Sequence, residues 1–409
     1  MNKIKLGKLL KIKHGFAFKS ENYVNEGSYA LVTLANISED NNFQFNRDKT
    51  IFYEADFPDD FKLKMDDLIM PLTEQVIGLF GNSAFVPQKE NLQFVLNQRV
   101  GKVIPNDDHA DKYYLHYLLS TKIVRDQLEY RASGTRQRNI SPDDVYDVTV
   151  YVPDVDRQRV IGKVLYLLEQ KVNANNAIND NLQQQLKLMY DYWFTQFDFP
   201  NEDGKPYRAS GGAMVWNESL QREVPVGWKC RTLGDLLTKN ATPFDYQTTE
   251  PTIDLSVMPT SSISLDKLNS SDAFSTNLFV MTEGDIMFGS IRPYLKKAGI
   301  APCNGVFAGT IQSYSVKKDS DYNFALFTLC RDAFFDYAVQ VSSGTKMPVI
   351  STENLLEYKV AYSANIAEQF NAIDVRNIIC KNAQEIQQLT KLRDWLLPML
   401  MNGQATIAD

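Results

Sequence analysis

The chain is written twice, and that repetition limits its folds more than any single motif does. Leu6-Gly7-Lys8-Leu9-Leu10 recurs 227 residues later as Leu233-Gly234-Asp235-Leu236-Leu237. Asp67-Leu68-Ile69-Met70 recurs as Asp285-Ile286-Met287-Phe288 at an offset of 218. Ser133-Gly134-Thr135 followed by Ile140-Ser141 recurs as Ser343-Gly344-Thr345 followed by Ile350-Ser351, both at an offset of 210, and Gln158 and Gln369, 211 apart, then open helical stretches. A period this long makes each copy a structural unit and changes how every motif within it is read. The offset drifts ahead of the Ser-Gly-Thr element and barely changes behind it. Length variation is therefore confined to the front of each copy, as expected of a duplicated scaffold whose fronts read two different things. Drift after duplication is the plain alternative.

Each front is rich in short runs with strand character, such as Tyr29 to Leu34, Leu68 to Leu72, Ser83 to Val86 and Val148 to Val152, broken by Gly, Pro and Asn. A helical piece, Tyr113 to Arg131, precedes the first Ser-Gly-Thr, and Phe324 to Val341 takes the same place in the second copy. The modules are predicted to be α+β, small mixed sheets with helices. Each rear is a long helix. Leu165, Leu168, Val172, Asn175, Asn179, Leu182, Leu186, Met189 and Trp193 follow the three-and-four rhythm of a coiled-coil seam, as do Val375, Ile379, Asn382, Ile386, Leu389, Arg393 and Leu396. A helix from Asp156 to Phe194 would extend on the order of 60 Å. Asn175 and Asn382 both fall on the seam, where a buried amide favours one register at some cost in packing; an ordinary Asn at a wet crossover is the alternative. The two seams are expected to pair within one chain, because each has its partner in cis at high effective concentration.

At 409 residues the chain has room for two or three domains with real cores. Its 43 Lys and Arg against 50 Asp and Glu give a net charge of −7, which excludes a uniformly basic coat but not a local basic face. No apolar run is long enough for a membrane helix, and the first residues carry no cleavage signature, so a cytoplasmic protein is expected. The four cysteines are scattered without a close pair, so neither a disulfide framework nor a zinc clip is suggested. A phosphate loop, a dinucleotide fingerprint, a His-Glu-x-x-His helix and a nucleophile elbow are all missing. Pro206-Tyr207 and Pro293-Tyr294 lack the preceding Asp/Asn-Pro of amino-methyltransferases. Asp59, Asp60 and Lys62 hold fragments of a metal-dependent nuclease signature but are crowded together, as in a surface turn. His109 and His116, seven apart beside Tyr113, Tyr114 and Tyr117, make a plausible helical stripe and, without a third ligand, a packed or solvated face instead of a metal site.

The order module, helix, module, helix resembles the specificity subunit of type I restriction–modification systems. Asp191-Tyr192-Trp193-Phe194, Phe197-Asp198-Phe199-Pro200, Gly204-Lys205-Pro206-Tyr207, Val224-Pro225-Val226-Gly227-Trp228 and Leu233-Gly234 together resemble the family's junction between first helix and second module. Gly284-Asp285-Ile286-Met287 with Ser290-Ile291-Arg292-Pro293-Tyr294 and Lys296 is similar to it too, as is Gly134-Thr135, Ile140-Ser141, Val152-Pro153 and Gln158 at the entry to a spacer helix. The first copy departs from this pattern at Pro71-Leu72-Thr73-Glu74-Gln75, where the second has Ser290 to Lys297. The resemblance implies a first target recognition domain over 1–153, a spacer helix over 154–198, a linker over 199–230, a second recognition domain over 231–362 and a second spacer helix over 363–409. The two helices would lie antiparallel, giving a pseudo-two-fold repeat. Each domain would read one half of a bipartite double-stranded DNA site. The chain would have no catalysis and bind no cofactor of its own. In a cytoplasmic bacterial complex it would dock two adenine methyltransferase subunits and two restriction subunits, and S-adenosylmethionine, ATP and magnesium would belong to those partners.

A DNA-binding chain at −7 has to concentrate its positive charge. Ile286 to Lys318 carries Arg292, Lys296, Lys297, Lys317 and Lys318 with no acid, and Lys122 to Arg138 carries five cations against Asp126 and Glu129. Base reading calls on Arg, Asn, Gln, Ser and Thr. Asn36, Thr73, Gln75 and Arg99 are candidates in the first module, and Ser290, Arg292 and Tyr294 in the second, with Lys296 and Lys297 for phosphate. The Gly of each Ser-Gly-Thr lets backbone approach phosphate, with Thr135, Arg136 and Arg138 following in one copy and Thr345 and Lys346 in the other; a tight turn into the next strand is the alternative. A non-catalytic coiled-coil scaffold for proteins is the rival reading of the whole chain, and a nuclease using Asp59, Asp60 and Lys62 is a second.

Overall fold

The computed structural model describes residues 1–75, 77–134 and 136–407. It divides into two compact units, Met1–Glu169 with Lys391–Asp409 and Gln170–Thr390. Each unit holds one α+β module and a stretch of both long helices.

The two modules share a frame. In the first, Leu10–His14, Val100–Pro105, Leu68–Pro71 and Ala84–Phe85 form an antiparallel sheet in that order. In the second, Leu237–Asn240, Ile311–Val316, Ile286–Gly289 and Ala298–Ile300 do the same. A two-stranded ladder closes each module at its rear, Asn2–Lys5 with Thr149–Val152 and Lys229–Thr232 with Lys359–Tyr362. The second sheets keep one parallel pair, Tyr29–Val32 with Gln93–Leu96 and Pro251–Ile253 with Gly305–Ala308, but differ in the strands flanking it. The offset falls from 227 at Leu10 to 218 at Leu68, across the first strands of that sheet, and from 218 to 214 between Leu68 and Ala84 of the first sheet, whose counterparts are Ile286 and Ala298.

The repeated motifs have distinct structural jobs. The Leu-Gly-x-Leu turns bury both leucines, Leu6 and Leu9 in one unit and Leu233 and Leu236 in the other. Gly7 is needed because a Cβ there would stand 2.8 Å from the Cβ of Tyr146. In Ile-Ser, Ile140 and Ile350 are core residues, whereas Ser141 and Ser351 accept the N–H of Asp144 and Asn354 and start the short helices Pro142–Tyr146 and Thr352–Leu356. The helical pieces ahead of Ser-Gly-Thr are each two helices: Lys112–Leu119 and Lys122–Arg131, then Tyr322–Leu329 and Asp332–Gln340.

The first long helix, Val155–Tyr190, extends roughly 54 Å and passes into a π-turn at Asp191–Thr195. In the second unit Asn175 Nδ2 donates to Glu385 Oε2 at 2.7 Å, and Asn382 Nδ2 donates to Asn179 Oδ1 at 2.7 Å, so the helices run antiparallel. Asn175 and Asn382 sit at the seam but bond to different partners. Near its end the buried stripe moves one residue along, to Tyr190 and Phe194 in place of Met189 and Trp193, because 3.6 residues per turn outruns a strict heptad. The second helical stretch is not continuous. It comprises Ala364–Phe370 and Val375–Met401, and Asn323 Nδ2 caps the break by donating to the carbonyls of Phe370 and Ile373. Gln369 is exposed on the short helix, while Gln158 is buried and bonds the carbonyls of His109 and Pro153, so the two glutamines differ in role.

Candidate nucleic-acid interface

Both Ser-Gly-Thr loops are closed by the same backbone pair. Ser133 exchanges two hydrogen bonds with Asn139, at 3.0 and 2.8 Å, and Ser343 exchanges two with Val349, at 3.0 and 2.9 Å. Gly134 (φ +115°) and Gly344 (φ +102°) stand in backbone conformations that favour glycine. At Gly134 a Cβ would collide with the Gln137 carbonyl oxygen. Behind each loop the buried isoleucine ties back to the first sheet: Ile140 N–H to Leu72 and Ile350 N–H to Ser290, both at 3.0 Å. The paired backbone thus closes a turn in both copies, with Gly134 and Gly344 exposed. Thr135 lies outside the described residues.

In the second unit the loop stands beside a strained turn. Arg292 (φ +53°) and Lys296 (φ +52°) flank Pro293–Leu295, and each left-handed non-glycine residue costs about 1 kcal/mol or more. The Arg292 N–H bonds the Pro348 carbonyl at 2.7 Å, and Ile291 bridges Val349. Arg292, Tyr294, Thr345, Lys346 and Met347 are thereby gathered at one exposed edge. Strain of this kind is retained where the backbone must aim a side chain. Ser290 is buried, its hydroxyl spent on the Thr310 carbonyl at 2.9 Å, so it holds the turn and presents nothing outward. The Lys296 ammonium is 2.6 Å from Asp332, which also takes Lys187 at 3.2 Å. Hydrogen bonding to Asp332 pushes the ammonium's pKa up, and the same bond draws the carboxyl's down. The Lys297 ammonium donates to the Leu255 carbonyl. The outward charge at this edge therefore comes from Arg292 and Lys346, and the acid-free run reads as more basic than it is.

The first unit solves the same position differently. Arg138–Asn139 pairs with Thr73–Glu74, and the Thr73 hydroxyl, buried, donates to Asn139 Oδ1 at 2.9 Å. Glu74, which stands where the second copy has Arg292, is 1% exposed. Its Oε2 accepts the N–H groups of Gly78, Leu79 and Phe80 at 3.2, 3.0 and 3.3 Å, and its Oε1 lies 3.0 Å from Arg138 Nη1. Arg138 also donates to the Glu129 carbonyl at 2.8 Å. Gln75, Arg136 and Ile77 are exposed on the resulting loops, Ile77 at 72%. Arg99 is exposed on the adjacent turn, its carbonyl taking the Leu72 N–H at 3.0 Å. Asn36 is buried; its side chain bonds Thr33 and the Gln44 carbonyl and forms one wall of a cleft of about 490 Å³ lined also by Phe45, Asn46 and Lys49.

Glu74 and Ile77 carry no motif signal. The trace of Glu74 in the sequence is the repeat itself, which sets an acid against Arg292 at the offset of 218.

The sites weighed for enzyme chemistry resolve into structure. Asp59–Phe61 is a surface turn in which Lys62 holds Asp59 at 2.6 Å and Lys13 holds Asp60 at 3.3 Å. His109 precedes the helix and is exposed, so the two histidines do not share a helical face. His116 is 1% exposed, between the Ser83 hydroxyl at 2.8 Å and Glu169 Oε2 at 3.5 Å, with the Tyr117 hydroxyl donating to the same oxygen at 2.6 Å. Three of these four side chains look like a hydrolase triad, but they are sealed in the core. Among the described residues no group of three His, Cys, Asp or Glu is arranged to hold a metal ion, and no helix is long and apolar enough to cross a membrane.

Residues 1–187 match the family model described as type I restriction modification DNA specificity domain. The MjaIX specificity subunit of a type I restriction enzyme from Methanocaldococcus jannaschii is 22% identical over 76% of this chain and 73% of its own length. The EcoDI specificity subunit from Escherichia coli is 23% identical over 87% of this chain and 76% of its own. The crystal structure of a type I restriction–modification S subunit from M. genitalium shares the fold over 98% of this chain and 95% of its own, at 16% identity and a TM-score of 0.57. A specificity domain of type I restriction–modification systems is thus matched over the first copy, and the relatives aligned across both copies are specificity subunits of such systems.

Proposed function

We propose that this chain supplies DNA sequence recognition to a type I restriction–modification complex and is not itself an enzyme. Each unit reads one half of a bipartite site. The observation that carries this reading is the twice-built edge: one closed Ser-Gly-Thr loop, tied to one sheet frame, offering different side chains in the two units. Gln75, Arg99 and Arg136 face solvent in the first, and Arg292, Tyr294, Thr345 and Lys346 in the second. Guanidinium and amide groups of this kind discriminate bases in the major groove, while the glycine turns and lysine suit phosphate.

Two adenine methyltransferase subunits and two restriction subunits dock on the chain. S-adenosylmethionine, ATP and magnesium are bound by those partners. Methylation of a base inside a duplex requires extruding it, so the partner flips an adenine while this chain holds register. With a net charge of −7 the isolated chain binds DNA weakly and with strong salt dependence, and basic surface on the partners makes up the difference.

Mapping methylated adenine across the genome of cells carrying this chain and its partners tests the reading. A split motif that vanishes when the chain is deleted is expected; the same motif without the chain would end the proposal. Loss of any DNA preference with intact partner assembly would favour a protein scaffold instead. Removing one heptad from both long helices should change the gap between the half-sites.

A further inference from the structure

In the first unit, the group that shapes the reading edge is a buried acid. Glu74 Oε2 collects three successive N–H groups, from Gly78 to Phe80, as a backbone nest collects an anion. Its other oxygen faces Arg138, whose guanidinium is further held by the Glu129 carbonyl and lies 5.7 Å over the Phe80 ring. One carboxylate therefore fixes both walls of the edge: the loop that follows it and the strand that follows Ser-Gly-Thr. Between Glu74 and the nest stand Gln75 and Ile77, both exposed, and a large apolar side chain left 72% exposed beside a buried charge has no packing role. The second copy has Arg292 where this one has Glu74, and Pro348 where this one has Arg138. There the cation faces outward, while here it is neutralised.

We propose that Glu74 is a positioning residue for DNA reading: it presents Gln75 and Ile77 to base edges of one half-site, and it withholds the Arg138 charge from phosphate. This rests on the function proposed above and deepens it. Ile77 suits the methyl group of a thymine, and Gln75 the edge of an adenine. Arg138, by its position in a basic run, would otherwise serve as a backbone contact.

The test uses the full chain assembled with its methyltransferase partner, selecting bound sequences from a pool of random duplexes, followed by salt titration on a short duplex carrying the selected site. Glu74→Gln keeps an oxygen for the nest but releases Arg138. It should cost roughly tenfold in preference at one half-site, leave the other unchanged and steepen the logarithmic salt dependence by about 1. A purely structural role would weaken both halves together and would not raise the salt slope. Ile77→Ser, at an exposed position that folding does not need, should relax the same half-site with the salt slope unchanged. If the wild type selects a split sequence and both variants reproduce it with the same salt dependence, the inference is overturned while the function stands. If the wild type selects no split sequence, the function falls and this inference with it.

Discussion

Tyr117→Phe isolates one charged hydrogen bond in the core of the first unit. The Tyr117 hydroxyl donates to Glu169 Oε2 at 2.6 Å, joining the helix Lys112–Leu119 to the first long helix. Burial raises the Glu169 pKa, but the His116 hydrogen bond and charge, the Tyr117 hydroxyl and Arg393 together more than reverse this, and the carboxyl ends below its ordinary value. The substitution removes the donor and keeps the ring. A buried hydrogen bond to a charged acceptor contributes about 2 kcal/mol, which for a unit of this size lowers the melting midpoint by roughly 6 °C. The sign with pH follows from the lowered pKa. The carboxylate's contribution is complete above the ordinary glutamate pKa of 4.5 and disappears as pH falls through the depressed value. Without its donor the variant's carboxyl moves back toward the ordinary value, so the deficit is full at neutral pH and closes in acid. Urea titrations of wild type and variant at successive pH values measure it. An unchanged midpoint at neutral pH, or a deficit that stays constant through the acid range, would refute the reasoning.

Arg292→Ala should relax base preference in one half-site alone, read by selection from random duplexes; equal loss on every sequence would make Arg292 a phosphate contact instead. Asn382→Leu leaves the buried side-chain oxygen Oδ1 of Asn179 without its donor and should cost the second unit about 1–3 kcal/mol in urea unfolding. Gly134→Ala should impair DNA binding more than Gly344→Ala, because the first Cβ meets the Gln137 carbonyl oxygen head-on while the second has 3.0 Å to the Met347 carbonyl oxygen. Binding titrations of the two variants would show the order, and equal effects would count against the loop geometry.

The repeat, the α+β modules and the long helices were legible in the sequence because local patterning encodes them: strand runs, cap residues and a seam rhythm depend on neighbours a few positions away. Ile-Ser could be found by its recurrence, and its job follows from a buried plug and an N-cap. What no local pattern carries is which polar side chain in a motif is already spoken for. Ser290, Thr73 and Asn36 have the chemistry of base readers, yet each spends its hydrogen bonds inside the fold. Lys296 and Arg138 lie in basic runs, yet Asp332 and Glu74, 36 and 64 residues away, neutralise them. Tertiary structure decides these matters because a charge or a hydroxyl is satisfied by whatever folding brings within about 3 Å of it, and separation along the chain does not predict that. Read alone, the residues fix that one module is present twice and where its recurring motifs lie. Folding alone sets an arginine outward in one module and buries an acid at the same place in the other.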